Sequence, residues 1–295
     1  MDGILLLDKP LGPSSNQALG RVKRLFHTAK AGHTGTLDPL ASGMLPCCLG
    51  EATKVAGFLI GARKAYEARI ALGVATTTAD AEGEVCATAP VPAFDTGTLL
   101  AVLARFRGRI TQRAPVYSAI KRDGVPLYRL ARRGVEVQAP EREVEIEAID
   151  LLAHDAQVLR IRVVCGSGTY VRSLAVDIGA ALGCPAHLAA LRRLWVAPFQ
   201  HEALIDFDRI EQAAAAGDVA LAALLLPMDR ALTHLARLDL DTESAVRLRQ
   251  GQRLRCVPPA APGTVRVYAP GGSFLGLAEL DAGGSLHARR LLSAS

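Results

Sequence analysis

Residues 32–46 limit what this chain can fold into more than any other stretch: Gly32-His33-Thr34-Gly35-Thr36-Leu37-Asp38-Pro39-Leu40-Ala41-Ser42-Gly43-Met44-Leu45-Pro46. Three glycines and two prolines surround one carboxylate, Asp38, in a run too apolar for a solvated linker. Glycine lets backbone turn sharply or approach a neighbour closely, and proline fixes the direction of the chain. The pattern predicts a rigid, partly buried loop that presents one aspartate, either as a helix cap or as a chemical group. An ordinary cap does not need three flanking glycines and a histidine, so the pattern favours chemistry.

The chain has 295 residues, half of them hydrophobic, which is enough for one large core and a smaller one. No apolar run reaches membrane-spanning length, and Asp8 and Lys9 interrupt the apolar stretch near the start. No basic region or export-type cleavage pattern accompanies that stretch, so a cytoplasmic protein without membrane contact is expected. Six cysteines lack any Cys-x-x-Cys spacing, which predicts buried reduced thiols rather than a zinc site or a disulfide framework. The net charge of +5 is modest, but residues 101–140 hold nine basic and two acidic side chains. Such a segment is either a solvated face or a footprint for a polyanion.

Element signals follow in order. Ile4 to Leu7 reads as a strand stopped by Lys9-Pro10, and Ser14 or Ser15 caps a helix over about 16–26 with Leu19, Val22 and Phe26 on one face. A helix is predicted over 51–60, a strand over 65–72, a turn at 80–83 before a strand at Val85, and a helix over 99–106. Residues 107–133 read as irregular and basic. Strands are expected at 144–152 and 158–165, and a helix after Gly168-Thr169-Tyr170-Val171-Arg172 ends near Gly183. The Ala-rich 213–223 reads as helix. From about 231 the texture changes to short alternating strands at 264–268, 274–280 and 286–291 joined by Gly-rich turns, a small β module. This order suits a mixed α/β architecture better than a regular alternation of strand and helix.

The loop around Asp38 lacks the Gly-Lys-Ser/Thr of a phosphate loop, and no second carboxylate lies within it to share a metal. The chain resembles the TruB family of tRNA pseudouridine-55 synthases in its bacterial, stand-alone form. That resemblance rests on Gly3-Ile4-Leu5-Leu6-Leu7-Asp8-Lys9-Pro10, His33 to Gly43, Gly50-Glu51-Ala52-Thr53-Lys54, Tyr117-Ser118-Ala119-Ile120-Lys121, Gly168-Thr169-Tyr170-Val171-Arg172, and the terminal Gly263 to Tyr268 with Phe274-Leu275-Gly276. It runs through nearly the whole chain in the family's order.

The resemblance implies a pseudouridine synthase domain with a mixed, largely antiparallel sheet over 1–230, carrying an RNA-clamping insertion at about 107–140. A small PUA-like β-barrel that binds RNA would occupy 231–295. It implies Asp38 as the catalytic carboxylate, Tyr66 as the ring against the target base, and Arg172 as a bidentate partner that orients Asp38. His33 would fill the space left by a flipped-out nucleotide, and Tyr170 and Leu191 would line the uracil pocket. Arg109, Lys121 and Arg132 would hold RNA within the insertion. The implied reaction converts one uridine, position 55 of the tRNA T loop, with no metal or organic cofactor, by a monomer acting on the T-arm. Two alternatives stand beside it: a guide-RNA-dependent catalytic subunit, and a tRNA-binding folding factor whose catalysis is secondary. The chain departs from the family at Gly166 and Ser167, where Ser-Lys is common, and at Ala114, where a proline is usual.

Overall fold

The computed structural model describes residues 1–117, 121–122, 124–127, 139–255 and 261–293. Four consecutive apolar residues make sense in a strand covered on both sides, where neighbours point to opposite faces. In β1 (Gly3–Lys9), Ile4 and Leu6 enter one core cluster while Leu5 and Leu7 enter another. The helix Ser15–Leu25 follows, and the two serines divide their work. Ser14 is its N-cap in a reciprocal capping box with Gln17, which stabilises by about 1 kcal/mol. Ser15 is buried and turned toward the Asp38 loop. That loop lies between β2 (Ala31–His33) and β3 (Ala41–Leu49).

The helix expected over 51–60 is two pieces, a 3-10 turn at Gly50–Lys54 and a short α-helix at Ala56–Ile60. β4 (Lys64–Leu72) comes next, then the hairpin of β5 (Val74–Thr76) and β6 (Val85–Thr88), and a helix at Thr96–Ala104 capped by Asp95. The irregular reading of 107–133 needs correction at its start, because Gly108–Arg113 is strand β7. β7 is the last strand of its sheet, so its charged residues face solvent and mask the alternation with Ile110 and Gln112. Lys121–Arg122 and Val125–Pro126 pair as the small hairpin β8–β9. Arg129, Arg132 and Arg133 lie outside the described residues.

β10 (Glu141–His154) and β11 (Val158–Cys165) precede the helix Val171–Leu182, which ends at Gly183 in the left-handed conformation. β12 (Ala186–Val196) had no counterpart among the expected elements. The large sheet runs β1-β3-β12-β4-β11-β10-β7, with β2 on the far half of β3. Among the described strands of this sheet only β3 and β12 run parallel, so the expected largely antiparallel sheet is what forms. Helices Thr96–Ala104 and Val171–Leu182 cover one face and bury Leu99, Leu103, Leu174 and Ile178 against Ile70, Ile149 and Ile161. The Ala-rich stretch forms Phe207–Ala216 and Asp218–Ala222.

Beyond it, β13 (Ala236–Asp239), a helix at Thr242–Arg249, β14 (Leu254–Arg255), β15 (Gly263–Ala269), β16 (Ser273–Leu280) and β17 (Ser285–Leu291) make a second sheet in the order β13-β15-β16-β17-β14. Its last three strands are the meander expected from the Gly-rich turns. Leu277 of β16 is buried in the same cluster as Ile4, Met44 and Phe199, with Phe274 and Leu235 packed against it, so the two sheets share an apolar seam. Cys47, Cys48, Cys165 and Cys184 are buried free thiols, whereas Cys86, on the exposed strand β6, is not buried as expected.

Candidate active site

Asp38 sits in a loop bolted on both flanks. Leu37 donates its backbone N–H to Ser15 Oγ at 2.7 Å, and Ser15 Oγ donates back to the Leu37 carbonyl at 2.9 Å. Gly12 donates to the Pro39 carbonyl at 2.9 Å, and Ala41 to the Asp38 carbonyl at 3.0 Å. Leu37 and Ala41 are buried in the same cluster as Tyr66, which sets the loop down on β4. Gly43 holds φ at +100°, and a Cβ there would stand 2.1 Å from the Arg193 carbonyl, so β12 approaches as closely as it does only because residue 43 is glycine.

The Asp38 side chain keeps 38% exposure, while Arg172, the second residue of its helix, is 6% exposed. Their nearest atoms, Asp38 Oδ2 and Arg172 Nη2, are 3.0 Å apart. The guanidinium does not make the expected bidentate pair with Asp38. Its Nη1 lies 3.3 Å from Asp80 Oδ2 and donates to the Thr78 carbonyl at 3.2 Å, and Nη2 also donates to the Tyr117 carbonyl at 2.9 Å. One buried arginine therefore spans two carboxylates and two carbonyls. Asp80 is held in turn by the Thr78 hydroxyl and by the Glu82 N–H at 3.1 Å. Sequence reading placed Asp80 in a turn and missed its part in this network, because Asp-Ala-Glu-Gly is ordinary turn chemistry. Burial pushes the Asp38 carboxyl above the usual carboxylate range, and Arg172 pulls it back down. The like charge of Asp80 pushes up and Lys9 pulls down, both more weakly than Arg172.

Tyr66, 8% exposed on β4, is the direct cross-strand partner of Arg193 on β12. Burial raises its phenol, and the adjacent Arg193 opposes that rise. Arg193 is itself only 1% exposed and donates to the carbonyls of Met44 at 2.7 Å and Gly35 at 3.1 Å, which ties β12 to both ends of the Asp38 loop. Two lysines are buried nearby. Lys9 caps the carbonyls of Pro10 and Pro13, and Lys64 those of Ile60 and Ala62. Burial lowers each ammonium to about 8. Neither Arg193 nor Lys64 carries any signal in sequence beyond being a basic residue.

Leu191 pairs in register with Ala41 of β3 and Ala68 of β4 and packs on the same cluster as Tyr66. Tyr170, the N-cap of the helix bearing Arg172, has the Arg142 guanidinium 5.2 Å from its ring centroid. His33 ends β2; its Nε2 meets Asn16 Oδ1 at 3.2 Å, and its Nδ1 is buried with no partner among the described residues. Burial, then Arg193, lowers the imidazole, which favours the neutral ring. The fold thus gathers Asp38, Tyr66, Arg172 and Leu191 around one place, with His33 and Tyr170 at either side of the elements that build it. Arg109 stands exposed on β7 opposite Glu145, away from that cluster. Lys121 has only its backbone described, in β8. Arg132 lies outside the described residues.

A carboxylate held against a buried arginine beside a buried phenol can attack or deprotonate a sugar and attend a planar base. Comparison with known proteins places the chain among relatives. Residues 23–171 match the family model described as TruB family pseudouridylate synthase (N terminal domain). Residues 172–233 match tRNA pseudouridylate synthase B C-terminal domain, and 236–292 match Pseudouridine synthase II TruB, C-terminal. A protein named tRNA pseudouridine synthase B from Xanthomonas euvesicatoria pv. vesicatoria (strain 85-10) is 52% identical over 293 residues, 99% of this chain and 94% of that one. A namesake from Xylella fastidiosa (strain Temecula1 / ATCC 700964) is 51% identical, covering 99% of this chain and 96% of its own. Among solved structures, one described as a Cbf5-Nop10-Gar1 complex is similar in fold with a TM-score of 0.76 at 24% identity, over 98% of this chain and 84% of that chain. Another, an H/ACA RNP bound to a substrate RNA containing 2'-deoxyuridine, gives 0.75 at 25% identity over 99% and 85%. With three family models in sequence and half of its residues shared with such relatives, the chain belongs to the TruB family of pseudouridine synthases.

Proposed function

We infer that this enzyme isomerises uridine to pseudouridine in tRNA, at position 55 of the T loop. The full-length likeness to proteins named tRNA pseudouridine synthase B supports the substrate. The observation that carries the chemistry is Asp38 held 3.0 Å from the buried Arg172, in a loop fixed by Ser15 and Arg193. In the reaction the bond from ribose C1′ to N1 breaks, the uracil rotates, and C1′ joins C5. The C5 proton leaves to solvent and N1 gains one, so atoms and electrons balance without a redox partner or cofactor. Asp38 acts at the ribose as nucleophile or base, Arg172 keeps it ionised and aimed, and Tyr66 lies against the base.

Reaching the uridine requires flipping it out, and His33, neutral and at the lip of the loop, takes its place in the RNA. Tyr170 and Leu191 wall the uracil pocket. Residues 107–140, with Arg109, Lys121 and Arg132, clamp the T-arm, and residues 231–295 serve as a PUA-like RNA-binding module on a catalytic domain ending near 230. The enzyme acts as a cytoplasmic monomer.

The test is tritium release from 5-labelled uridine in a tRNA transcript, using purified protein with no guide RNA. Turnover is expected for the wild type and none for Asp38→Asn, with tRNA binding retained. Dependence on an added guide RNA would overturn the stand-alone reading, and near-normal turnover by Asp38→Asn would remove Asp38 from its role.

A further inference from the structure

The basic insertion leaves the large sheet at the end of β7 and returns at the start of β10, and both strands hold the same residue. Gln112 of β7 is 1% exposed, and its amide closes a two-way bond on one peptide backbone. The Tyr170 N–H donates to Gln112 Oε1 at 3.1 Å, and Gln112 Nε2 donates to the Tyr170 carbonyl at 3.3 Å. Arg142 of β10, directly opposite Gln112 in register, covers the ring of Tyr170. Tyr170, like Val116, packs against the cluster of Ala114, Leu127 and Ala139, all members of the insertion. Adjacent residues are tied the same way: Ser173 Oγ donates to the Arg113 carbonyl at 2.7 Å, and Arg172 to that of Tyr117.

Tyr170 is the N-cap of its helix, and Gln112 supplies from outside that helix the acceptor for its N–H. A buried amide bonded twice to one residue has a single orientation, and losing it leaves the Tyr170 N–H without an acceptor, while the Tyr170 carbonyl keeps the Leu174 N–H at 3.1 Å. We propose that Gln112 and Arg142 are positioning residues that fix Tyr170 as the joint through which the placement of the insertion sets the pocket around Asp38 and Arg172. This coupling rests on the reading of the enzyme as a tRNA isomerase. RNA bound along the insertion then sets the pocket wall and Arg172 together, so binding away from the target uridine reaches the reacting groups through packed side chains.

The full-length protein and a tRNA transcript test it, with the single-turnover rate at saturating tRNA and the tRNA dissociation constant measured separately. Gln112→Ala is expected to slow the single-turnover step about tenfold while the dissociation constant stays within about twofold. Arg142→Met should slow it about threefold, and Arg142→Lys should restore most of that loss. On a Tyr170→Ala background the Gln112→Ala loss should shrink, because both act through one residue. If Gln112→Ala does not fold, Gln112→Glu, which keeps the acceptor and loses the donor, takes its place under the same criteria. A wild-type rate at saturation, or a loss undiminished on the Tyr170→Ala background, overturns the proposal. Wild-type turnover measured alongside separates failure of the coupling from failure of the functional reading.

Discussion

Arg172 shows why residue identity matters here beyond charge. Its two terminal nitrogens reach Asp38, Asp80, and the carbonyls of Thr78 and Tyr117, a set that a planar fork can span and a point-like ammonium cannot. Arg172→Lys is therefore expected to slow the chemical step by about tenfold or more, with tRNA affinity nearly unchanged, because buried acceptors lose their donors. A lysine variant with the wild-type single-turnover rate would mean that charge alone suffices. The same geometry fixes a pH dependence. The Asp38 carboxyl already titrates above the ordinary carboxylate range, and Arg172 is the strongest influence opposing that rise. The active form is the carboxylate, so the rate falls as pH drops through that raised value. Removing the guanidinium by Arg172→Gln raises it further and moves the acid limb of the single-turnover profile to higher pH. An acid limb that stays in place in the variant would show that another group controls it. The carboxylate and the arginine were both legible in sequence, each in a glycine-flanked motif. Asp80 was not, since nothing local separates a turn aspartate from one that faces a guanidinium brought from residue 172.

At the scale of elements, the site depends on how closely β12 can lie beside β3. Their three-residue parallel pairing places Arg193 opposite Gly43, and from there its side chain reaches Gly35, Met44 and Tyr66. Gly43→Ala meets two obstacles, a left-handed backbone angle and the Arg193 carbonyl 2.1 Å from the new Cβ. Relief requires the strands to part, so this change should cost at least about 2 kcal/mol. Thermal unfolding should show a lowered midpoint, and activity should fall more than binding as Arg193 releases the loop. An alanine variant with wild-type melting would mean that β12 and β3 separate freely. β12 itself escaped the sequence reading because its strand alternation is broken by register shifts near Ala190 and Trp195 and by adjacent arginines with different fates. Arg192 faces outward to Asp8, while Arg193 is buried. β7 escaped for a related reason, since an edge strand with one solvated face looks like a basic loop.

For the whole molecule, charge and apolar packing have separate tasks. The second sheet is attached by Leu277, Phe274 and Leu235 in a cluster shared with Ile4 and Met44, a hydrophobic seam indifferent to salt. The basic excess lies elsewhere, in residues 101–140. Neutralising Arg109, Lys121 and Arg132 together should weaken tRNA binding and flatten its salt dependence. The slope of log affinity against log salt should change by about 0.7 to 0.9 for each phosphate that no longer meets a cation. Thermal stability should hardly move. An unchanged slope would count against this segment as the RNA footprint.

Local chemistry was enough to read the strand that begins the chain, the capped helix after it, the terminal meander and the rigid loop around Asp38, because periodicity, caps and Gly/Pro placement act over a few residues. Family resemblance in those same motifs pointed to the reaction. Tertiary structure alone decided that Arg172 would be shared between Asp38 and Asp80, that Arg193 would pin the loop beside Tyr66, and that Gln112 would grip Tyr170. Each joins residues 58 or more positions apart, most of them across strands whose register only the folded sheet fixes. A side chain's partners depend on which strand becomes its neighbour, and that choice is made by the burial of the whole sheet rather than by any one segment.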